Sequence, residues 1–122
     1  MSPLVRTAVD LIDKEYARLR GPEDVAKVVG VSIDVLRKAF RRDIEAAPRE
    51  VIEQRRVAEA RRLLAETDLQ ASEVAAAVGW RRDDSGSRAF HRATGVTMRE
   101  YRRDARGARP SRGAAENAKF FS

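Results

Sequence analysis

The sequence repeats itself once, and this internal repeat constrains the fold more than any other feature. The pairs Val25-Ala26 and Val29-Gly30 recur 49 residues later as Val74-Ala75 and Val78-Gly79. Beyond that point the offset becomes 50, so that Leu36, Phe40 and Arg49-Glu50 correspond to Gly86, Phe90 and Arg99-Glu100. A unit of about 50 residues present only twice is too short an array for a solenoid. We therefore predict one supersecondary unit in two tandem copies.

Each copy has the pattern of a helix-turn-helix unit. A short helix carries Val-Ala, a glycine follows at the turn, and a longer helix ends near a phenylalanine. The small alanine allows two helices to approach closely, and Gly30 and Gly79 tolerate a positive φ at the turn. Leu36 and Phe40, four residues apart, lie on one helix face and are expected in the core.

The predicted fold is all-α, because no segment alternates apolar and polar residues over the length of a strand. Helices are predicted at 4–19, 23–29, 33–43, 48–66, 71–78, 84–93 and 98–104. Ser32 is expected to cap the third helix, and Pro48 fits the first turn of the fourth. Thr97 and Glu100 have the spacing of a capping box for the last helix.

Residues 1–104 are predicted to form one domain of about seven helices, with two helix-turn-helix subdomains, 23–43 and 71–93, on either side of a long linker helix, 48–66. Residues 105–122 are rich in Gly, Ala and Arg, and we expect a disordered basic tail. Its Phe120-Phe121 pair is a docking motif or an unstructured end, and the second interpretation is favoured.

The formal charge of +6 favours a polyanionic partner such as nucleic acid, although ribosomal proteins and membrane-surface helices share such a charge. Arginine outnumbers lysine 21 to 4, which suits contacts to guanine and phosphate but also follows from a GC-rich genome. No cysteine and a single histidine, His91, argue against disulfides, a metal site or a cysteine nucleophile. The sequence has no paired carboxylates in a plausible pocket, no glycine-rich phosphate loop and no nucleophile with a base, so we expect a protein that is not an enzyme and uses no cofactor. It has no apolar run long enough to span a membrane, so we expect a cytoplasmic protein that binds no membrane.

The outward faces of the two longer helices are the candidate DNA-binding surfaces. The candidate site residues are Ile33, Asp34, Arg37, Lys38 and Arg41 in the first unit and Arg82, Asp84, Ser85, Arg88 and Arg92 in the second. Their side chains are donors and acceptors of the kind that contact base edges and phosphates. Asp34 and Asp84 could accept from cytosine, but capping and orienting neighbouring arginines is the favoured role.

The segment 48–66 has the length of a rigid spacer between the two units. As a helix of 19 residues it would be about 28 Å long, close to the spacing of about 34 Å between successive major grooves. Its apolar positions are expected to pack against both subdomains; they are Val51, Ile52, Val57, Ala60, Leu63 and Leu64. Its arginines, which stand among glutamates, are expected to be solvated or ion-paired; they are Arg55, Arg56, Arg61 and Arg62.

Over residues 5–104 the sequence resembles the DNA-binding domain of the AraC/XylS family of bacterial transcription regulators. The resemblance rests on EDVAKVVGVSIDVLRKAFRR, on VIEQRRVAEARRLL and on SEVAAAVGW with SRAFHRATGVTMREYR. It implies a sequence-specific regulator that binds double-stranded DNA, with activation favoured over repression and RNA polymerase as a second candidate partner. Arg37 and Arg88 are implied as the principal base contacts, beside Asp34, Lys38 and Asp84.

The chain departs from the family pattern most clearly at Gly86, where a core phenylalanine is usual. A glycine in a helix costs about 1 kcal/mol relative to alanine, and losing a buried phenylalanine forfeits about 3–5 kcal/mol. We therefore expect a loose or rearranged second recognition helix, and a helical protein-interaction module that has retained the scaffold is the alternative function. Glu45 for glycine, Val51 for an aromatic residue and Met98 for proline are milder departures.

The remaining aromatic and histidine side chains have two possible roles each. Trp80 and Tyr101 could stack on bases, but both fall at motif positions that fill the core, and the core is the favoured place. His91 could contact phosphate, and exposure to solvent is the simpler expectation.

Overall fold

Seven α-helices and no strand are found in the part of the chain that the computed structural model describes, residues 1–81 and 83–107. For residues 83–85 only the backbone is described. The helices are α1 Pro3–Glu15, α2 Pro22–Val29, α3 Ile33–Ile44, α4 Pro48–Glu66, α5 Ala71–Val78, α6 Asp83–Thr94 and α7 Met98–Arg106. The predicted all-α class and the order of the helices are confirmed. Residues 108–122, which hold most of the predicted tail and Phe120-Phe121, lie outside the described residues.

The predicted helix-start signals are present. The Ser32 hydroxyl accepts a hydrogen bond from the backbone N–H of Val35 at 3.2 Å, and Pro48 is the first residue of α4. At α7 the Thr97 hydroxyl accepts from the Glu100 N–H at 3.0 Å, while the Glu100 carboxylate accepts from the Thr97 N–H at 2.8 Å. These hydrogen bonds to Thr97 hold the pKa of Glu100 below its usual value.

The first helix ends at Glu15, four residues before the predicted end, and this boundary prediction was wrong. Beyond it the chain turns so that Leu19 is buried in the first core. The turn is stabilised from the linker helix, because Arg56 Nη2 donates to the carbonyl oxygens of Leu19 at 2.6 Å and Tyr16 at 3.2 Å. A contact 37 residues away in sequence therefore sets the end of α1, which local periodicity does not encode.

Two hydrophobic cores share the linker helix α4. Val51 and Ile52 at its start belong to the core formed by α1, α2 and α3, together with Val25 and Phe40. Its later residues belong to the core formed with α5, α6 and α7; they are Val57, Ala60, Leu63 and Leu64. Packing of this helix against both subdomains is therefore confirmed. Since each end of α4 is anchored in a different core, the helix fixes one unit relative to the other.

The linker arginines differ in burial: Arg62 is exposed, Arg55 is half-buried, and Arg56 and Arg61 are buried. Arg62 is ion-paired with Glu59 and Glu66, and Arg55 is ion-paired with Asp13 at 2.8 Å, as expected. Arg56 and Arg61, however, are only 8% and 5% exposed, so neither is solvated, and Arg56 meets the expectation as an ion pair. Arg56 is ion-paired with Glu53, and the Arg61 guanidinium lies 5.9 Å from the centre of the Tyr101 ring.

The duplication seen in the sequence is also a duplication of structure. Helices α2 and α5 have eight residues each, and α3 and α6 have twelve each. Both short helices end in a left-handed glycine, with φ of 79° at Gly30 and 101° at Gly79. A Cβ on Gly79 would lie 2.8 Å from the carbonyl oxygen of Ala17, so the second turn also packs closely against the loop that follows α1.

Gly86 is buried in a continuous α6, where Trp80 occupies the space beside it. A Cβ built on Gly86 would lie 2.9 Å from the Ala75 Cβ and 3.1 Å from Trp80 Cε3. Trp80 itself is 6% exposed, and Tyr101 packs edge-on against Phe90 with ring centres 5.7 Å apart. The core placement of Trp80 and Tyr101 is therefore confirmed. The glycine accommodates a large neighbouring side chain instead of leaving a void.

Candidate nucleic-acid interface

The outward face of α3 presents four of its five predicted site residues to solvent. Asp34, Arg37, Lys38 and Arg41 are exposed, whereas Ile33 is half-buried against the first core. Arg37 Nη1 lies 3.6 Å from the Asp34 carboxylate one helical turn earlier, which fits the favoured role of Asp34 in orienting a neighbouring arginine. The face is held in place by Leu36, Ala39 and Phe40 on the opposite side, all of them buried.

Val35 is an apolar side chain on this polar face, and sequence reasoning missed it. It lies in the first turn of α3 and remains 48% exposed, although neighbouring Leu36 is fully buried. At about 100° of rotation per residue, Val35 lies about 60° around the helix from Lys38. A β-branched apolar group there could contact the C5-methyl group of thymine. The sequence signal that could have identified Val35 is its position three residues after the capping Ser32, which places it in the first turn of α3.

On α6 the structure places Arg88 and Arg92 at the surface, and His91 between them is also exposed. Phe90, on the opposite side, is fully buried in the second core. Arg82 lies outside the described residues, and the side chains of Asp84 and Ser85 lie outside them as well. The second predicted face is therefore represented by Arg88 and Arg92.

An arginine-lined cleft runs between the two helix-turn-helix units and reaches both candidate helices. It consists of two adjoining cavities, one lined by Arg37 of α3 and the other by Arg92 of α6. Four residues line both cavities; they are Arg20, Arg49, Glu53 and Arg56. Arg81, just after the second turn, completes the cationic lining. We call these six arginines, together with Glu53 and Glu23, the interunit cleft.

Arg20, Arg49 and Arg81 were missed by sequence reasoning. Each stands where a helix begins or a turn ends: Arg20 just before α2, Arg49 in the first turn of α4, and Arg81 after Trp80. No spacing rule connects three positions so far apart in the chain. Only the folding of both units against α4 brings them to one cleft. Because the chain has 21 arginines, composition gives no reason to single out these three.

Glu53 fixes the floor of this cleft. Its carboxylate accepts a hydrogen bond from Trp80 Nε1 at 3.2 Å and forms an ion pair with Arg56 at 3.3 Å. Arg56 in turn donates to the Tyr16 and Leu19 carbonyls. Three segments of the chain, the loop after α1, the linker helix and the second turn, are thereby joined. Because the Glu53 charge is balanced by Arg56, the outer arginines make the net charge of the cleft positive.

The positive charge of the outer cleft is not balanced by other residues of the described chain. Arg20, Arg49 and Arg81 are exposed, and none of them forms an ion pair with a carboxylate in residues 1–81 or 86–107. Arg81 Nη2 donates to the Arg18 carbonyl at 3.3 Å, which positions the side chain without neutralising it. Glu23 is the one exposed carboxylate among the lining residues. The cleft is thus suited to an anionic ligand.

No helix in the described portion is long and apolar enough to cross a membrane.

Comparison with known proteins gives one consistent result. A helix-turn-helix domain model matches residues 25–104. The lactose operon transcription activator of Staphylococcus xylosus is 30% identical over 98 residues, which is 80% of this chain. The chain spans 35% of the length of that relative.

Solved structures agree with this match. The C-terminal domain of AraT, a response regulator from Geobacillus stearothermophilus, superposes with a TM-score of 0.79 at 32% identity, covering 84% of this chain and 85% of that one. The DNA-binding domain of AdpA, a global transcriptional factor solved in complex with a target DNA, superposes with a TM-score of 0.77 at 26% identity, covering 90% and 98%. These relatives are transcription-regulator domains and not enzymes. With its duplicated units, its shared linker helix and these matches, the chain belongs to the AraC-type family of helix-turn-helix transcription regulators.

Proposed function

We propose that this chain is a sequence-specific regulator that binds double-stranded DNA by inserting α3 and α6 into successive major grooves. One observation carries the proposal: Arg37 of α3 and Arg92 of α6 line opposite parts of one interunit cleft, so both helices border the same surface. The 19-residue helix α4, about 28 Å long, is close in length to the spacing of about 34 Å between successive major grooves. The complex of the AdpA domain with its target DNA supports the choice of ligand.

The residues divide into base contacts and phosphate contacts. We assign base contact to Arg37 and Arg88, since a guanidinium can form two parallel hydrogen bonds with guanine. Val35 is assigned to a thymine methyl group. Lys38, Arg41 and Arg92, exposed farther along the two helices, are assigned to phosphates. Asp34 is assigned to orienting Arg37, because a carboxylate beside phosphates would be repelled.

Activation is the proposed direction of regulation, because the curated relative is named a transcription activator. An activator of this kind would act in the cytoplasm and would also contact RNA polymerase. Transcription in vitro from a promoter carrying a selected site tests the direction. A rise in transcript on adding the protein supports activation, and a fall contradicts it.

Duplex selection followed by a salt titration tests DNA binding itself. Bound duplexes would be selected from a random pool, and their dissociation constants would be measured between about 50 and 200 mM salt. A nucleic-acid binder loses affinity steeply, with a slope of about −0.9 per phosphate contacted. Selection of one motif and a steep slope are the expected results. Absence of both would favour a helical protein-interaction module, the alternative that the resemblance left open.

A further inference from the structure

We infer that the interunit cleft is a phosphodiester-binding site that receives the DNA backbone where it passes between the two grooves. This inference rests on the proposed function and extends it to residues outside both reading helices. Arg20, Arg49 and Arg81 are its principal ligands, and they come from three separate segments of the chain. A contact to the DNA backbone fixes the position of the protein on the duplex but carries no sequence information, so it is separate from base reading by α3 and α6.

The position of the cleft is the first argument. A duplex that offers successive major grooves to α3 and α6 must pass one stretch of backbone between them. Arg37 of α3 lines one side of the cleft and Arg92 of α6 lines the other, so each reading helix borders the cleft. Phosphates between the two grooves would therefore lie against Arg20, Arg49 and Arg81.

Charge is the second argument. The exposed guanidinium groups of Arg20, Arg49 and Arg81 have no carboxylate partner in residues 1–81 or 86–107, so within these residues no ion pair is broken when phosphates bind. Glu53, the half-buried carboxylate of the floor, is already engaged by Arg56 and Trp80. Glu23 at the outer edge is the one lining carboxylate that opposes the anion.

Rigidity is the third argument. The three arginines are mounted on segments joined through Glu53, Arg56 and Trp80, and Arg81 is further held by the carbonyl of Arg18. A guanidinium held by its surroundings loses less freedom when it binds a phosphate. Arg81 is thus preorganised for the backbone, while Arg20 and Arg49 extend from segments whose positions the fold fixes.

The triple variant Arg20→Gln, Arg49→Gln, Arg81→Gln tests the inference in the full chain. Its matched control is the triple Arg6→Gln, Arg99→Gln, Arg103→Gln, which removes the same charge from exposed positions away from the cleft. Circular dichroism and thermal unfolding would establish that both variants fold. Dissociation constants on one selected duplex would then be measured against salt.

We expect the cleft triple to reduce the magnitude of the salt slope by about 2 to 3, at about 0.9 for each phosphate that is no longer neutralised, and to weaken binding equally on matched and mismatched duplexes. The control triple should reduce it by less than about 1. Equal reductions in the two variants would overturn the inference, because they would show a general effect of charge.

Neutral methylphosphonate linkages, introduced one at a time, locate the site on the DNA. We expect wild-type protein to lose about tenfold in affinity when the neutral linkage lies between the two grooves, and the cleft triple to lose less than about twofold there. Equal losses for both proteins at every linkage would overturn the inference. A wild-type protein that binds no duplex at low salt would instead overturn the proposed function, so the two failures are distinguishable.

Discussion

Trp80 lies against Gly86, so close that a Cβ on the glycine would stand 3.1 Å from the indole Cε3. This contact explains why a helix can carry glycine at a position where the family usually has a core phenylalanine. The indole occupies the volume, and its Nε1 reaches Glu53 on the linker helix. A missing large side chain on α6 is therefore replaced by one from the turn that precedes it.

Gly86→Ala is predicted to destabilise the domain, although alanine is the better helix former. The gain in helix propensity is about 1 kcal/mol, whereas overpacking against Ala75 and Trp80 costs about 1–3 kcal/mol, so a net loss of about 1 kcal/mol is expected. Urea unfolding measures it, with exposed Ser87→Ala on the same helix as control. A Gly86→Ala variant more stable than wild type would show that Trp80 moves aside easily.

The amide exchange of α6 remains a separate prediction. Amide exchange in residues 84–93 is expected to be faster than in 33–43, because glycine weakens the helix. Comparing the exchange rates of the two segments tests this expectation, and equal protection would contradict it.

Glu45→Gly is predicted to stabilise the first unit. Glu45 ends α3 with φ of 55° and is the one non-glycine residue of positive φ in residues 1–81 and 83–107. A left-handed residue with a Cβ costs about 1–2 kcal/mol, and the extra freedom of glycine in the unfolded chain offsets part of the gain. We expect a rise of about 0.5–1 kcal/mol in the free energy of unfolding. Glu45→Ala, which keeps the Cβ, should give no such rise.

Arg56→Gln is predicted to be strongly destabilising. It removes the charge-assisted hydrogen bonds to the Leu19 and Tyr16 carbonyls and the ion pair with Glu53. Loss of such partners in a buried setting costs about 2–4 kcal/mol of unfolding free energy. Exposed Arg62→Gln is the matched control and should leave the urea midpoint nearly unchanged. Similar losses for both variants would contradict the role assigned to the buried guanidinium.

Val35 is predicted to confer a preference for the thymine methyl group. Replacing the contacted thymine by deoxyuridine removes one methyl and should weaken wild-type binding about fourfold, at about 0.8 kcal/mol. In Val35→Ala the same replacement should cost less than about twofold. Val28→Ala changes an exposed valine on α2 and should retain the full methyl effect. Methyl effects that are identical in all three proteins at every thymine would exclude the contact.

The sequence alone predicts the helices and many of their buried positions, because periodicity, caps and the repeat are local signals; the division of the buried residues into two cores emerges from the structure. Prediction from the sequence failed for features that depend on contacts between residues distant in sequence. The end of α1 depends on Arg56, and the burial of Arg56 and Arg61 depends on both units closing around α4. Of the candidate site, the outward face of α3 followed from the pattern. The interunit cleft did not, because its arginines converge only in three dimensions.

The central claim is that α3 and α6 read separate half-sites, and the sequence preferences of two single variants test it most directly. Bound duplexes would be selected from a random pool with wild type, Arg37→Gln and Arg88→Gln, and then sequenced. We predict that each variant loses preference at a few base pairs, and that the two affected positions lie about 10 base pairs apart, one helical turn. Loss of preference at the same base pairs in both variants, or at none in either, would contradict reading by two helices in successive grooves.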